Sequence, residues 1–134
     1  MKILVFGHSG QVATELRALD GNGVEIIALD RAAADLTDPA ACAATIETHA
    51  PDAVINAAAY TAVDKAESDE ATVNVINAQA PVAMARVCAD RDIPFVSIST
   101  DYVFSGEGTA LWHPGDPTDP QGVYGRTKRD GEKL

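Results

Sequence analysis

Four short apolar runs dominate the hydrophobic pattern of the chain. They span residues 2–6, 24–29, 53–56 and 94–99. Continuous apolar runs of this kind are typical of strands that are buried on both faces of a parallel sheet. Helix-length segments lie between them, at residues 11–19, 39–49 and about 69–91. This alternation predicts an α/β fold, a Rossmann-type doubly wound parallel sheet.

Turn signals support this arrangement. Residues 20–23 read Asp-Gly-Asn-Gly and close the first helix, whereas Asp38 and Pro39 open the second with a cap and a proline near its first position. Residues 105–122 are rich in glycine and proline around Trp112, and they predict a long loop over the carboxyl end of the sheet. Trp112 either anchors this loop or faces a substrate, and we favour the anchor.

Composition narrows the class of protein. Acidic residues are scattered through the chain and give a formal net charge of -10, which disfavours general binding to nucleic acid or to an anionic membrane. Cys42 and Cys88 lack the spacing of a metal or redox pair, and we interpret them as small buried hydrophobic residues. We expect no metal site. The sequence has no signal-peptide pattern and no run of about 18 apolar residues, and it predicts a cytoplasmic protein.

The loop after the first apolar run carries a glycine pattern. Gly7, Gly10 and Ala13 form GxxGxxA where a strand turns into a helix, and glycine there permits a tight turn and close approach of backbone N–H groups to a phosphate. Asp30 follows the second strand, at the position that receives the ribose hydroxyls of a dinucleotide. We therefore interpret residues 1–134 as one incomplete NAD(P)-binding domain. It is truncated after about four strands, and a C-terminal substrate-binding part is absent.

Residues after the second and third strands extend this predicted site. A carboxylate at Asp30 favours NADH, whereas Arg31 is able to pair with the extra phosphate of NADPH, so either cofactor fits the sequence. Asp35 and Leu36 are placed to receive the adenine. The small residues of the run 56–61 allow the rest of the cofactor to lie against the backbone.

Tyr124 and Lys128 are four residues apart, so they share one face of the helix that they begin. An adjacent ammonium and the positive end of a helix both stabilise a phenolate, which eases proton exchange between Tyr124 and a substrate oxygen. The fourth strand ends at Ser99, Thr100 and Asp101. Thr100 or Ser99 can donate a hydrogen bond to the reacting oxygen, and Asp101 can accept one from a substrate hydroxyl.

Pro81 lies inside the longest predicted helix and has no N–H, which leaves the carbonyl of Asn77 without its helical partner. One interpretation is that this carbonyl holds a water beside Lys128 and extends a proton relay. The alternative is a plain helix kink.

Four sequence blocks together resemble the dTDP-4-dehydrorhamnose reductases, a family of extended short-chain dehydrogenases. The blocks are residues 7–13, 56–67, 99–106 and 123–128, and the resemblance covers essentially the whole chain. It implies reduction of the 4-keto group of dTDP-4-dehydro-L-rhamnose by NADH or NADPH, to give dTDP-L-rhamnose for cell-surface polysaccharide. The nucleotide sugar is the implied partner, and a homodimer is possible for the full-length protein.

The resemblance also implies residue roles. Tyr124 protonates the C4 oxygen, Lys128 holds the nicotinamide ribose, Thr100 orients the C4 oxygen and Asp101 contacts the sugar. The implied cofactor contacts are Gln11, Val12, Asp30, Asp35, Leu36, Ala59, Tyr60 and Thr61. Pro114 departs from the family, which commonly has a glutamate there. The alternatives are a non-catalytic regulatory subunit of the same family and another nucleotide-sugar epimerase or dehydratase.

Overall fold

The computed structural model describes residues 1–133 and contains one parallel sheet of four strands. The strands are β1 (Lys2–Phe6), β2 (Glu25–Leu29), β3 (Ala53–Asn56) and β4 (Phe95–Ser97). Their spatial order is β2-β1-β3-β4, and each neighbouring pair is parallel. From β1 the chain adds β2 on one side of the sheet, and it then adds β3 and β4 on the other side, so the order of strand addition changes direction between β1 and β3. The predicted doubly wound α/β fold is confirmed, with its switch point at that pair.

Within the described residues, six α-helices connect or follow the strands. They are α1 (Gln11–Arg17), α2 (Pro39–His49), α3 (Val63–Ala66), α4 (Glu70–Asn74), α5 (Ala80–Asp90) and α6 (Val123–Glu132). The Asp38 side chain accepts a 2.9 Å hydrogen bond from the N–H of Ala41, so the predicted cap of α2 is present. None of the helices described is long and apolar enough to cross a membrane.

The main core lies on the face of the sheet that α2 and α5 cover. Leu4, Phe6 and Val54 are fully buried there, and they form one cluster with side chains of the two helices. The helix side chains of this cluster are Cys42, Ile46, Ala80, Met84 and Cys88. Both cysteines are therefore the small buried residues that the sequence predicts. Burial raises the pKa of each thiol to about 11.

The other face of the sheet is less well covered. Ala13 of α1 is buried, and Val5 of β1 has no exposed surface. Towards the opposite edge, however, Val96 and Ile98 remain 53% and 42% exposed. The strand that the sequence predicts over residues 94–99 is correspondingly short, because only Phe95–Ser97 pair with β3.

The long helix predicted over residues 69–91 contains an irregular turn. α4 and α5 are joined by a wider π-helical turn over Val75–Gln79, and Pro81 occupies the first turn of α5. A wide turn of this kind accommodates the missing N–H of Pro81 without ending the helix. The sequence pattern detected the proline but not the change of helix type.

Residues 105–122 form the predicted long loop. The ring of Trp112 stacks on Phe104, with 4.8 Å between ring centroids and an interplanar angle of 2°. The N–H of Asp119 donates to the Val103 carbonyl at 3.0 Å and returns the loop to the end of the sheet. The stacking supports the interpretation of Trp112 as an anchor.

Candidate functional site

A cleft of about 500 Å³ opens at the carboxyl ends of the strands, at the switch point between the paired strands β1 and β3. We call it the main cleft. Ligands bind at this position in open α/β sheets. Its lining comes from the loops after all four strands, from the π-helical turn and from α6. The predicted site residues that line it are Gly7, Gly10, Asp30, Asp35, Leu36, Ala59, Tyr60, Thr61, Tyr124 and Lys128.

The two glycines of the first loop serve different purposes. Gly7 has φ of +119°, and a Cβ built on it would lie 3.3 Å from the backbone carbon of Ala57. Only glycine adopts this conformation easily while the loop after β3 passes so close. Gly10 has an ordinary φ of -72°, and a Cβ built there would meet no atom within 4 Å. The space beside Gly10 is therefore an open cradle at the start of α1.

Carboxylates border the cleft after β2. Asp30 accepts a 2.9 Å hydrogen bond from the N–H of Ala33, which shapes the turn and leaves the side chain exposed. Asp35 accepts from the Thr37 N–H at 2.9 Å and pairs with Arg31 at 3.1 Å. The hydrogen bonds from Thr37 and, less strongly, the charge of Arg31 lower the pKa of Asp35. Asp30 and Asp35 thus give this end of the cleft a negative rim, which also carries the exposed cation of Arg31.

Two asparagines hold the loop after β3 in place. The Asn77 side chain accepts from the Tyr60 N–H at 2.8 Å and donates to the Tyr60 carbonyl at 3.1 Å. Asn56 is buried, accepts from the Ala58 N–H at 3.2 Å and donates to the Ser97 hydroxyl at 3.2 Å. Both polar groups of the Tyr60 backbone are therefore satisfied by one side chain, which fixes the wall formed by residues 57–61.

The pair Tyr124 and Lys128 lies on α6 and lines the main cleft. Lys128 is 5% exposed, and its Nζ donates a 2.6 Å hydrogen bond to the Ile98 carbonyl. Burial lowers the pKa of this ammonium, and the carboxylate of Glu132 opposes the change. Tyr124 is half-buried, with its ring edge-on to Tyr102 at 5.6 Å. The pair is thus a half-buried phenol and a desolvated cation at one cleft.

Glycines allow α6 to approach its neighbours closely. A Cβ at Gly125 would lie 2.2 Å from the carbonyl oxygen of Tyr102, and one at Gly131 would lie 2.3 Å from that of Asn77. Both distances are impossible contacts, so any larger residue would push the helix away. The position of Tyr124 and Lys128 over the cleft depends on these two contacts.

A smaller cavity of about 220 Å³ lies behind Lys128, and Asn77, Ser99 and Glu132 also line it. The Ser99 hydroxyl donates to the Glu132 carboxylate. The Asn77 carbonyl oxygen faces Gly131 of α6, and both Asn77 and Lys128 line this cavity. The interpretation that this carbonyl holds a relay water therefore stays a prediction.

Four predicted site residues do not line the main cleft. Gln11 and Val12 lie in the first turn of α1 and are exposed. Thr100 begins a short 3-10 turn over Asp101–Val103, where its hydroxyl accepts from the Tyr102 N–H at 3.3 Å. The roles of these four residues stay predictions. Residues 105–122 do not line the cleft either.

The structure also adds lining residues that the sequence analysis did not assign. Ala34, Ile76 and Ile98 line the main cleft beside the predicted residues. Ile76 had no local signal, because it lies in a helix far from any motif and reaches the cleft through the π-helical turn. Ile98 could have been found, since it immediately precedes the polar strand end at Ser99.

The main cleft fits a dinucleotide. The cradle beside Gly10 offers room for a phosphate at a helix start. Residues 57–59, which also line the cleft, are alanines, so their small side chains leave space for a ligand. Tyr60 lines this cleft, and its hydroxyl is buried without a hydrogen-bond partner within the described residues. Across residues 1–133, no three His, Cys, Asp or Glu side chains come together as a metal site.

The fold and its switch-point cleft place the chain among the Rossmann-type α/β proteins. The chain belongs to the RmlD substrate binding domain family, whose model matches residues 1–134. A dTDP-4-dehydrorhamnose reductase from Salmonella typhimurium is 42% identical over 138 residues, which cover 100% of this chain and 46% of that protein. The resemblance predicted from the four sequence blocks is confirmed.

Solved structures agree with this family. A dTDP-4-dehydrorhamnose reductase from Clostridium acetobutylicum matches 98% of this chain and 48% of its own, with a TM-score of 0.92 and 40% identity. One from Bacillus anthracis, in complex with NADP, matches 98% and 47% respectively, with a TM-score of 0.92 and 28% identity. The chain spans about half the length of the relatives it matches.

Proposed function

We propose that this chain supplies the cofactor site and the proton donor for reduction of the 4-keto group of dTDP-4-dehydro-L-rhamnose, which yields dTDP-L-rhamnose. The observation that carries the proposal is the joint lining of one cleft by the glycine loop and by the pair Tyr124 and Lys128. A dinucleotide site without the pair would indicate binding only. The pair beside that site indicates interconversion of a carbonyl and an alcohol.

NADH or NADPH, held by the glycine loop, would supply a hydride to the carbonyl carbon. Tyr124 donates its phenolic proton to the C4 oxygen as negative charge develops there, so that no free alkoxide has to form in the cleft. Lys128 is the only lysine lining the cleft within residues 1–133, and its ammonium stabilises the phenolate that remains. We assign Lys128 a second role at the nicotinamide ribose. Thr100 orients the C4 oxygen and Asp101 contacts the sugar in this proposal.

The remaining cofactor contacts follow the walls of the cleft. Gly7 and Gly10 approach the pyrophosphate, with Gln11 and Val12 offering backbone N–H groups at the start of α1. Asp30 receives the adenosine ribose, Asp35 and Leu36 the adenine, and residues 59–61 the nicotinamide half. Arg31 is engaged by Asp35 only through an exposed ion pair, which contributes little, so it is free to turn towards a 2′-phosphate. We therefore propose that both NADH and NADPH are accepted.

The test uses the full-length protein and follows the loss of NADPH absorbance with dTDP-4-dehydro-L-rhamnose. Tyr124→Phe is expected to lower kcat by about 10²- to 10⁴-fold, because the proton donor is lost while the ring still packs. Tyr102→Phe is the matched control, since Tyr102 touches the Tyr124 ring but is 54% exposed. It should change kcat by less than about twofold. Absence of turnover in the wild type, or full activity of Tyr124→Phe, would contradict the proposal.

The sequence-based predictions of a cytoplasmic location, a homodimer and no binding to nucleic acid or membrane stay part of the proposal. The net charge of -10 supports the absence of general nucleic-acid binding.

A further inference from the structure

The first N–H of α6 is capped by a residue from a distant part of the chain. Gly122 occupies the cap position and has no side chain to offer. Instead, the Val123 N–H donates a 2.8 Å hydrogen bond to Oε1 of Glu67, which lies 56 residues earlier. Side chains that accept from these first N–H groups usually come from the cap residue itself. Glu67 therefore does for α6 what a local serine or aspartate does elsewhere.

The structure leaves room for this carboxylate. A Cβ built on Gly122 would lie 2.9 Å from Oε1 of Glu67, so a side chain at position 122 would displace this carboxylate from its place beside the Val123 N–H. The side chain of Val123 is also held, because it is buried in a small cluster with Ala66 and Val73. Ala66 directly precedes Glu67. The same short segment thus fixes both the backbone and the side chain of Val123.

Tyr124 follows Val123 directly and packs against the same cluster. It lies in the first turn of α6, where helix ends fray when their N–H groups lose a partner. We propose that Glu67 is a positioning residue, which holds the start of α6 so that the Tyr124 hydroxyl meets the reacting oxygen. This inference rests on the proposed function of Tyr124. It assigns no contact between Glu67 and substrate or cofactor.

The acceptor geometry of Glu67 decides its role, rather than its charge. Its side chain is solvent-exposed, where charge interactions are screened, whereas the hydrogen bond to Val123 requires an oxygen at one particular point. Glu70 provides a comparison three residues later. It pairs with Arg126 of α6 at 3.6 Å, and both partners are exposed. Glu70 thus brings a similar charge to the same helix without capping it.

The test compares Glu67→Gln and Glu67→Asp in the full-length protein, with Glu67→Ala as the complete loss and Glu70→Ala as the control. Glutamine keeps the acceptor and loses the charge, whereas aspartate keeps the charge and withdraws the acceptor by one methylene. Because a displacement of about 1 Å can cost about 100-fold in rate, we expect kcat to fall roughly 10- to 100-fold in Glu67→Ala and about 10-fold in Glu67→Asp. Glu67→Gln should stay within about threefold of the wild type, and Glu70→Ala within about twofold.

The exchange rate of the Val123 amide hydrogen gives a readout that does not depend on activity. It should rise in Glu67→Ala and Glu67→Asp but not in Glu67→Gln, while NADPH binding measured by fluorescence changes by less than about threefold in all of them. Equal kcat in all variants, or aspartate retaining more activity than glutamine, would overturn the inference. If the wild type does not reduce the sugar nucleotide, the proposed function fails, and the amide exchange still reports whether Glu67 caps α6.

Discussion

The two sides of the main cleft are built by different means. The proposed cofactor side consists of backbone turns at the ends of β1, β2 and β3, and the central strand residues behind it, such as Phe6 and Val54, are fully buried. The proposed catalytic side consists of α6, whose Lys128 donates to the Ile98 carbonyl just after the edge strand β4, where Val96 and Ile98 remain exposed. On this side, separate long-range contacts from Glu67, Tyr102 and Asn77 set the position of α6.

Under the proposed function, this difference separates cofactor binding from proton transfer within one cleft. A dinucleotide site needs open backbone next to a rigid sheet. The glycine pattern provides that backbone at the start of α1, and Asn56 and Asn77 hold the wall beside it. A proton donor needs its side chain at a defined distance from the reacting oxygen, so contacts with other parts of the chain must hold its helix in place. We therefore expect changes on the cofactor side to abolish binding with little loss of stability. Changes around α6 should alter stability and turnover together.

The largest expected effect is that of Gly10→Val on cofactor binding. The backbone at Gly10 has φ of -72° and ψ of 163°, which valine adopts readily, and a Cβ there meets no atom within 4 Å. The valine therefore fills the cradle where we place the pyrophosphate. Affinity for NADPH should fall at least about 100-fold, while the free energy of unfolding changes by less than about 1 kcal/mol.

Fluorescence titration and urea denaturation measure these two quantities. Gly115→Val is the control, because Gly115 also has open space but lies in the loop of residues 105–122. Unchanged NADPH affinity in Gly10→Val would remove the glycine loop from the cofactor site.

The next effect is that of Gly125→Ala on stability. The new methyl group would lie 2.2 Å from the Tyr102 carbonyl oxygen, and this backbone atom cannot move aside cheaply. Overpacking of this kind costs about 1–3 kcal/mol, although the better helix propensity of alanine offsets up to about 1 kcal/mol. We expect a lower free energy of unfolding in urea together with a lower kcat, since α6 is displaced. A stability equal to that of Gly115→Ala would show that α6 tolerates movement.

The smallest expected effect is that of Lys128→Met on stability. Burial lowers the pKa of Lys128 below its ordinary value of 10.5, so the folded protein releases this proton at a lower pH than the unfolded chain does. Between these two pKa values the unfolded state binds more protons, and the free energy of unfolding rises with pH. At pH values below both pKa values, the buried charge lowers the free energy of unfolding by a constant amount.

Lys128→Met should abolish that rise and leave stability at pH 7 equal or higher by up to about 1 kcal/mol, even though turnover is lost. Urea denaturation at several pH values tests this, with Lys133→Met as the exposed control. A large loss of stability would mean that the bond from Lys128 to the Ile98 carbonyl outweighs the cost of burial.

The long helix was predictable as an element but not in its details. Its length follows from composition, but Asn77, within the π-helical turn over Val75–Gln79, pairs with Tyr60 seventeen residues away, and no local pattern indicates that contact. Similarly, the ten predicted residues that line the cleft follow strand ends or a helix spacing. Ile76 reaches the cleft only through the irregular turn. Thr100 and Asp101 follow a strand end too, yet the 3-10 turn directs the chain elsewhere.

Local patterns along the chain were enough to predict the alternation of strands and helices, the glycine turn at Gly7 and Gly10, and the shared helix face of Tyr124 and Lys128. Each of these predictions uses neighbours within a few residues, where propensity and spacing act directly. The capping of α6 by Glu67, the contact of Gly125 with a backbone carbonyl and the burial of Lys128 emerged only in the folded chain. Such contacts join residues far apart in the chain, and packing alone brings them together.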